Sequence, residues 1–382
     1  MADEVTARYL VLSDMHFGTI ESSINVTRYS AALINYIASK APWQEIVFTG
    51  DLLDVNLSTL TRAIEGGTWQ GLPAPLFGFR QFLHALDTRM KELAGDKGLK
   101  DLARKWIYIP GNHDYKIWDL LATRVVFEDV LASGRPIDRA SMPLMKHRWT
   151  GDESFFAGIF RPYCAEGQVI VEYPNHEILF GQGQKQERMV LTHGHYLDAT
   201  QTRGNGLYGQ LHKATSPEEI AKIVRKIFIE TAQFQTVANA ASFTKGVRHF
   251  FNDLLGPDGW RNKLTKLSNQ VGELLLKLFF RTEGLKGKSF SSKQLLNIKY
   301  YLGCFCGYTK APRWFIFGHT HHQDKCKASR IGVEAYNAGS CYPDRGMPIT
   351  FAEIEIDAGD KPSIYLMCVD QNAKVENSPE TE

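Results

Sequence analysis

The sequence has no apolar run that approaches the roughly 20 residues needed for a membrane-spanning helix. Near the amino terminus, the apolar stretch Tyr9–Leu12 is only four residues long and lacks the basic flank of a secretory signal. These absences predict a cytoplasmic protein, and they leave peripheral contact with a membrane open.

Cysteine is scarce, with 6 residues in a chain of 382. None of the cysteines shows the paired C-x-x-C spacing of a zinc site. So few cysteines in a chain of this length also exclude the dense disulfide framework of a small secreted domain. We therefore expect the cysteines to be reduced thiols.

The chain also lacks an overall excess of charge, because 44 lysines and arginines stand against 42 aspartates and glutamates. This balance gives no general reason to expect a nucleic-acid or membrane partner, although an uneven distribution along the chain would change that expectation. A hydrophobic content of 43% is enough, at this length, for one large core or two smaller ones. The sequence therefore predicts a globular protein.

Five short runs rich in β-branched and aromatic residues are typical of buried strands. Each run leads directly into a cluster of Asp, His, Asn or Gly. Ligands of α/β sheets converge at the carboxyl ends of the strands, so the repeated pattern favours a common site. A helical pattern over Phe77–Ala94 separates the second run from the third, which predicts an α/β fold. The five runs are Arg8–Ser13, Glu45–Thr49, Lys105–Ile109, Arg188–Thr192 and Arg313–Phe317.

A long helical segment interrupts these strand patterns, which resume at Trp314. It contains helical patterns over Pro217–Phe243, Trp260–Arg281 and Ser292–Leu302. The polar residues after Asn372 are typical of a disordered end. We therefore predict an α/β core formed by residues 1–199 and 311–372, a basic helical insertion or cap over residues 200–310, and a disordered tail over residues 373–382.

The clusters after the strands carry the residue types of a metal centre. An Asp and a His two residues apart at the end of a strand can face the same ion, and the carboxylate of Asp51 can bridge two ions. Mixed oxygen and imidazole ligands suit manganese, iron or zinc, whereas calcium and magnesium prefer oxygen ligands alone. The clusters are Asp14-Met15-His16, Gly50-Asp51-Leu52-Leu53-Asp54, Gly111-Asn112-His113-Asp114, His193-Gly194-His195 and Gly318-His319-Thr320-His321-His322.

In this order, the motifs D-x-H, G-D-x-x-D, G-N-H-D, H-G-H and G-H-x-H resemble those of the calcineurin-like metallophosphoesterases. The resemblance covers residues 8–198 and 313 to about 370, and it includes an N-x-G-S turn at Asn337–Ser340. It implies a layered α/β/β/α sandwich, in which two mixed sheets are flanked by helices, with the helical segment as an insertion.

The resemblance also implies a role for each site residue. Asp14, His16 and His321 hold one divalent ion, Asn112, His193 and His319 hold a second, and Asp51 bridges both. A hydroxide between the ions attacks phosphorus in line, and His113 protonates the leaving oxygen. Asp114 holds His113 in the required tautomer, whereas Asp54 is interpreted as a structural carboxylate. His195 and His322 are extra imidazoles that we interpret as candidate contacts to the substrate, an anionic phosphoester.

Several functions remain open within this resemblance. The Ser/Thr protein phosphatases carry Asp-Arg-Gly after the second motif, but this chain reads Asp54-Val55-Asn56 there. Other candidates are a nuclease, a cyclic-nucleotide phosphodiesterase, and a hydrolase similar to UDP-2,3-diacylglucosamine pyrophosphatase, which cleaves a lipid-linked pyrophosphate. The last group usually has Arg at the position of His113. A different hypothesis is a phosphoesterase-fold scaffold whose insertion binds a partner.

The helical insertion concentrates the positive charge of the chain. Residues 200–310 contain 17 lysines and arginines against 7 aspartates and glutamates. Around a stripe of Leu and Val, the helical pattern Trp260–Arg281 places Lys263, Lys266 and Lys277. A basic amphipathic helix of this kind suits an anionic bilayer surface, or an acyl chain beside a phosphate. Nucleic acid would also satisfy the charge, and a helical subdomain that buries the stripe internally is the alternative.

Overall fold

The computed structural model divides the chain into two compact units. The first contains Met1–Val55, Gln70–Gly194 and Lys310–Glu382, and the second contains Asn56–Trp69 and His195–Thr309. The structure describes residues 5–18, 22–54, 74–114, 147–150, 155–181, 183, 186–197, 210, 213–216, 218–220, 222–223, 226, 295, 297–299, 301–302, 312–328 and 332–379. Most of the predicted helical insertion, including all of Trp260–Arg281, lies outside these residues.

The first unit contains a sheet of eight strands in the order β13-β12-β11-β1-β2-β3-β5-β4. Its central strands β1, β2, β3 and β5 are parallel, whereas β11 pairs with β1, and β4 with β5, in antiparallel register. The strands are β1 (Val5–Leu12), β2 (Trp43–Phe48), β3 (Ala103–Tyr108), β4 (His147–Thr150), β5 (Val169–Tyr173), β11 (Ile349–Asp357), β12 (Pro362–Val369) and β13 (Val375–Asn377).

A second sheet of the same unit has five strands in the order β6-β7-β8-β10-β9. Strands β7, β8 and β10 are parallel, and the two outer strands are antiparallel to their neighbours. Both sheets are therefore mixed, as predicted. The strands are β6 (Asn175–Phe180), β7 (Glu187–Thr192), β8 (Trp314–Phe317), β9 (Asp324–Ala328) and β10 (Val333–Asn337).

The two sheets pack face to face through alternate residues of their strands. Val47 and Ile107 of the first sheet share one buried cluster with Ile178, Leu191 and Ile316 of the second. Because side chains alternate between the faces of a strand, the intervening residues point to the other side of the first sheet. This alternation gives the first sheet two buried faces.

Helices cover the outer face of the first sheet. They are α1 (Thr27–Ser39), α2 (Ala74–Ala94), the single turn α3 (Leu99–Leu102) and α4 (Phe155–Phe160). Phe48 of β2 and Trp106 of β3 stack on each other, and Phe48 also meets Phe79 of α2 and Phe156 of α4 edge to face. The predicted α/β fold, with two mixed sheets flanked by helices, is confirmed.

The sequence patterns located strands β1, β2, β3, β7 and β8 and helix α2 to within a few residues, whereas strands β4, β5, β6 and β9 were not predicted. The predicted disordered tail is wrong where the structure describes it. Strand β13 pairs with β12 in antiparallel register, and Ser378 N–H donates to Leu366 O at 2.8 Å. The polar composition of the tail gave no indication of β13, which pairs at the edge of the sheet. No helix in the described part of the chain is long and apolar enough to cross a bilayer.

A buried charged triad joins the two sheets at a distance from the predicted metal ligands. His176 of β6 lies between Glu45 of β2 and Glu172 of β5, with its Nε2 atom 2.7 Å from Glu45 Oε2 and its Nδ1 atom bonded to Glu172 Oε2. All three residues are buried. Burial opposes protonation of the imidazole, but the two carboxylates outweigh it and raise the pKa of His176 to about 9.

We predict that this triad makes stability fall in alkaline solution. Because the folded pKa is raised, the stabilisation is complete below the unfolded value near 6.5 and is lost as the pH rises through about 9. The shift corresponds to a free energy on the order of 3 kcal/mol. Urea unfolding of the metal-free protein across this pH range should therefore show a steeper loss for the wild type than for His176→Gln.

The control is His84→Gln, which changes an exposed histidine of α2 and should keep the slope of the wild type. Equal slopes for the wild type and His176→Gln would show that the triad does not hold its proton in the folded protein.

Candidate metal centre

The residues of the five predicted motifs that belong to the first unit meet at one edge of the sheets, where β1, β2, β3, β7 and β8 end. Backbone hydrogen bonds join the loops to each other. Asp14 N–H donates to Gly50 O at 3.0 Å, and Gly318 N–H donates to His193 O at 3.1 Å. The parallel strands thus place five separate pieces of sequence side by side, as the sequence predicted.

Asp14, His16 and His321 form the first candidate ligand set. His321 Nε2 lies 3.1 Å from Asp14 Oδ1 and 3.2 Å from His16 Nε2. Ligands bound to one ion at about 2.0–2.2 Å are expected to lie about 3 Å apart, so these spacings fit a shared ion. The other oxygen of Asp14 accepts hydrogen bonds from the Ser13 hydroxyl and from His319 N–H, which fixes the direction of Oδ1.

Asn112, His193 and His319 form the second set together with Asp51. His193 Nε2 is 2.9 Å from Asn112 Oδ1 and 3.3 Å from Asp51 Oδ2. The ligand atoms of Asp51, His193 and His319 all lie within 4.8 Å of one another. A carbonyl oxygen, Thr49 O, lies 2.9 Å from His193 Nδ1, and it orients the imidazole so that Nε2 faces the site.

Asp51 lies between the two sets. Its Oδ1 atom accepts a hydrogen bond from His113 N–H at 2.7 Å. Its Oδ2 atom lies 3.3 Å from His193 Nε2 of the second set and 3.8 Å from His16 Nε2 of the first. One carboxylate oxygen therefore faces both ligand sets, which is the position of a bridging ligand.

Strained backbone is concentrated at these ligands. Left-handed φ angles are uncommon for residues other than glycine and are found where the surrounding structure enforces them. Five of the predicted ligands adopt them, with φ between 47° and 70°: Asp14, His16, Asp51, His319 and His321. The fold thus holds the ligand side chains in place at the expense of backbone energy, as expected at a functional site.

The charges of the site favour a bound cation. Burial opposes ionisation of Asp14, but nearby imidazoles lower its pKa to about 2, and the pKa of Asp51 is likewise held well below its usual range. Burial also lowers the pKa of His16 to about 3, which leaves a neutral ring able to bind metal. For His193, Asp51 and Asp14 outweigh burial and raise the pKa to about 9. A cation bound here would replace that proton.

His113 lies beside these sets, but its partner is not the predicted one. Its Nδ1 atom lies 3.1 Å from Asp54 Oδ1, so Asp54, interpreted from the sequence as structural, orients this ring. Asp114 instead accepts hydrogen bonds from Gly111 N–H at 2.5 Å and Leu52 N–H at 2.8 Å. The prediction that Asp114 holds His113 is wrong, because its carboxylate is used to join the second and third motif loops.

The two extra imidazoles have different environments. His322 lies half exposed in the first unit, and Asp344 Oδ1 lies 2.9 Å from its Nδ1 atom and raises its pKa. His195 opens a short 3-10 turn, His195–Leu197, in the second unit and is buried. Their predicted contact with substrate stays a prediction.

Tyr342 is a further residue of the site that the sequence patterns missed. Its ring stacks on His321 with a centroid distance of 4.7 Å and meets His16 edge to face at 4.9 Å. A tyrosine five residues after β10 carries no sequence signal of this kind, because the contact depends on how its loop folds back over the first ligand set.

Comparison with known proteins agrees with this geometry. Residues 7–323 match the sequence model of the calcineurin-like phosphoesterases. The chain belongs to the calcineurin-like phosphoesterase family. A search of curated proteins gives no match. The predicted family is thus confirmed, and the structure adds three candidate metal-binding clusters.

Three solved structures are similar at 11% identity. They are a single mutant of Vps29 from Entamoeba histolytica (TM-score 0.30, covering 97% of this chain and 98% of that one), the inner-membrane-complex anchor GAP50 of Plasmodium (0.40, 99% and 90%) and a dimetal phosphatase from Danio rerio (0.36, 99% and 100%).

We predict that Gly111→Ala disrupts the metal centre. A Cβ atom at this position would lie 2.3 Å from Asp51 Oδ1 and 2.4 Å from Asp51 N, so the bridging carboxylate would have to move. Metal affinity should fall by roughly 10- to 100-fold, the usual effect of disturbing a ligand's support. Titration of the metal-free protein with Mn²⁺ measures it.

Gly158→Ala in α4 is the matched control, because a Cβ atom there meets nothing within 4 Å. If Gly111→Ala binds metal as the wild type does, then Asp51 is not held against the Gly111 loop as described.

Proposed function

We propose that this protein is a binuclear metal-dependent phosphoester hydrolase. The observation that carries the proposal is Asp51 Oδ2, which faces ligand nitrogens of both sets at 3.3 and 3.8 Å. The mixed carboxylate, amide and imidazole ligands suit two ions of manganese, iron or zinc. When bound, ions about 3.5–4 Å apart lower the pKa of a water molecule and stabilise the charge that develops on a phosphoryl group.

The proton for the leaving oxygen is assigned to His113. Burial disfavours its charged form, but Asp51 and Asp54 outweigh this effect and raise its pKa to about 9, so the ring carries a proton at neutral pH. Asp54 takes Nδ1, which leaves Nε2 as the donor. Nε2 lies 4.0 Å from Asp51 Oδ2, so the proton is held beside the bridging carboxylate.

Esters with poor leaving groups should depend most on this proton. We predict that His113→Ala slows their hydrolysis by roughly 10² to 10⁴, the range of a general acid, and spares activated aryl esters. Asp54→Asn should act in the same direction by a smaller factor, whereas Asp114→Asn should reduce metal binding instead. Steady-state kinetics on alkyl and nitrophenyl phosphate esters separate these effects.

His84→Ala, which changes an exposed histidine of α2, is the control and should leave the hydrolysis of both kinds of ester unchanged. An equal loss on alkyl and aryl esters would argue against proton donation by His113. A metal-loaded wild type that cleaves no phosphomonoester or phosphodiester would support the alternative of a scaffold with a phosphoesterase fold.

For the substrate, we propose an anionic phosphodiester or pyrophosphate that is lipid-linked or carries a nucleotide. The support is the basic segment 200–310 together with its apolar helical pattern near Phe279 and Phe280. Positive charge beside apolar side chains suits a phosphate attached to an acyl chain, on a protein that is cytoplasmic and peripheral to the membrane. A nuclease or a cyclic-nucleotide phosphodiesterase is the alternative. Nucleic acid would explain the positive charge of the segment, but it would not explain the apolar residues.

We predict that the protein sediments with vesicles containing phosphatidylglycerol, and not with neutral phosphatidylcholine vesicles. Replacing Lys263, Lys266 and Lys277 by Glu should abolish this binding, because each residue near an anionic surface contributes about 1 kcal/mol. The same charge change at three exposed lysines of the first unit, Lys97, Lys325 and Lys361, is the matched control.

Vesicle binding that ignores lipid charge, or that survives the triple replacement in the insertion, would contradict the membrane proposal. Tight, salt-sensitive binding to DNA or RNA would instead favour the nuclease.

A further inference from the structure

Gln323 lies two residues after the metal ligand His321 and is almost fully buried, with 4% of its surface exposed. Its Nε2 atom is within hydrogen-bond distance of three backbone carbonyl oxygens: Phe351 O at 2.7 Å, Met367 O at 3.0 Å and Ala338 O at 3.3 Å. A side-chain amide has two hydrogens, so the two shorter bonds satisfy both, and the third carbonyl shares one of them.

These carbonyls belong to three different parts of the first unit. Phe351 lies in β11, Met367 lies in β12, and Ala338 lies in the turn that follows β10. Gly339 packs closely here, because a Cβ atom at this position would lie 1.9 Å from Thr350 Oγ1 and 3.1 Å from the Cβ atom of Gln323. One side chain thus connects the end of the metal-binding loop to both sheets.

The same loop is held at its beginning by Asn337. Its amide donates to Gly318 O at 3.2 Å and to the Thr320 hydroxyl at 2.6 Å. Buried amides, those of Asn337 and Gln323, therefore hold both ends of the loop from Gly318 to Gln323. This loop carries His319 and His321, whose φ angles are left-handed. Strained residues persist only where such contacts outweigh the strain.

Gln323 also contacts the end of the chain. Its Oε1 atom accepts a hydrogen bond from the hydroxyl of Ser378, the residue that follows β13. Three carbonyls around Nε2 and one hydroxyl at Oε1 fit only this orientation of the amide. The residue that follows β13 is therefore joined to the end of the metal-binding loop by a side-chain hydrogen bond.

We infer that Gln323 is a positioning residue for the metal-ligand loop, and that the carboxyl-terminal strand supports the metal centre through Ser378. The inference rests on the proposed function, since it takes His319 and His321 to bind metal. Both polar atoms of the Gln323 side chain are bonded within the protein, Nε2 to carbonyl oxygens and Oε1 to the Ser378 hydroxyl. It acts by fixing the loop that places these two imidazoles.

The test uses the full chain, stripped of metal and titrated calorimetrically with Mn²⁺. Gln323→Glu keeps the shape of the side chain but replaces the donor that faces three carbonyls with an acceptor. Because His321 is closer to Gln323 in the loop than His319, affinity for the ion held by Asp14, His16 and His321 should fall most, by roughly 10- to 100-fold. Ser378→Ala should lower the affinity for the same ion by a smaller factor. Ser378→Thr, which keeps the hydroxyl, should have the affinity of the wild type.

Glu376→Ala, at an exposed position of β13, is the control and should bind both ions as the wild type does. A purely structural role would lower the unfolding temperature of the metal-free protein and leave the affinities of the folded protein unchanged, and this result would overturn the inference. If Gln323→Glu does not fold, the variants Ser378→Ala and Ser378→Thr test the inference. Equal metal affinities for Ser378→Ala and the wild type would then overturn the role of the terminal strand. A wild type that binds no metal would instead refute the proposed function.

Discussion

The arrangement of the site depends on one buried carboxylate that faces two groups of ligands. Asp51 is 1% exposed, and its two oxygens have separate tasks. One oxygen is fixed by His113 N–H, and the other faces His193 and His16. A buried negative charge needs compensation, and here the protonated imidazole of His193, which could exchange its proton for a cation, supplies it.

Around Asp51, the fold supplies rigidity from several directions. Asp114 joins the second and third loops, Asn337 and Gln323 hold the fifth, and backbone hydrogen bonds join the first to the second. The two sheets that carry these loops are joined by their apolar faces and by the triad around His176. The packing of the sheets thus stabilises a strained backbone at the ligands, which isolated loops would not adopt.

Much of this could be predicted from the sequence because the signals are local. Strand patterns that lead directly into Asp, His and Asn clusters predicted that these seven side chains would lie together, since a parallel sheet brings the ends of its strands together whatever the loops contain. The partners of side chains are not local. Asp54 and Asp114 are both acids near His113, and only the fold decides which one reaches its ring. For the same reason, the polar tail was predicted to be disordered, and nothing in its composition pointed to its contact with Gln323.

The central claim is that Asp51 bridges two ions, and metal analysis of Asp51→Asn beside the wild type tests it most directly. An amide in place of the carboxylate removes the negative charge that keeps two cations close. Elemental analysis after loading with manganese and removal of free ions should find two ions per chain in the wild type and a loss at both sites in the variant. Full metal content in Asp51→Asn, or the loss of one ion with the other retained, would contradict the bridging role.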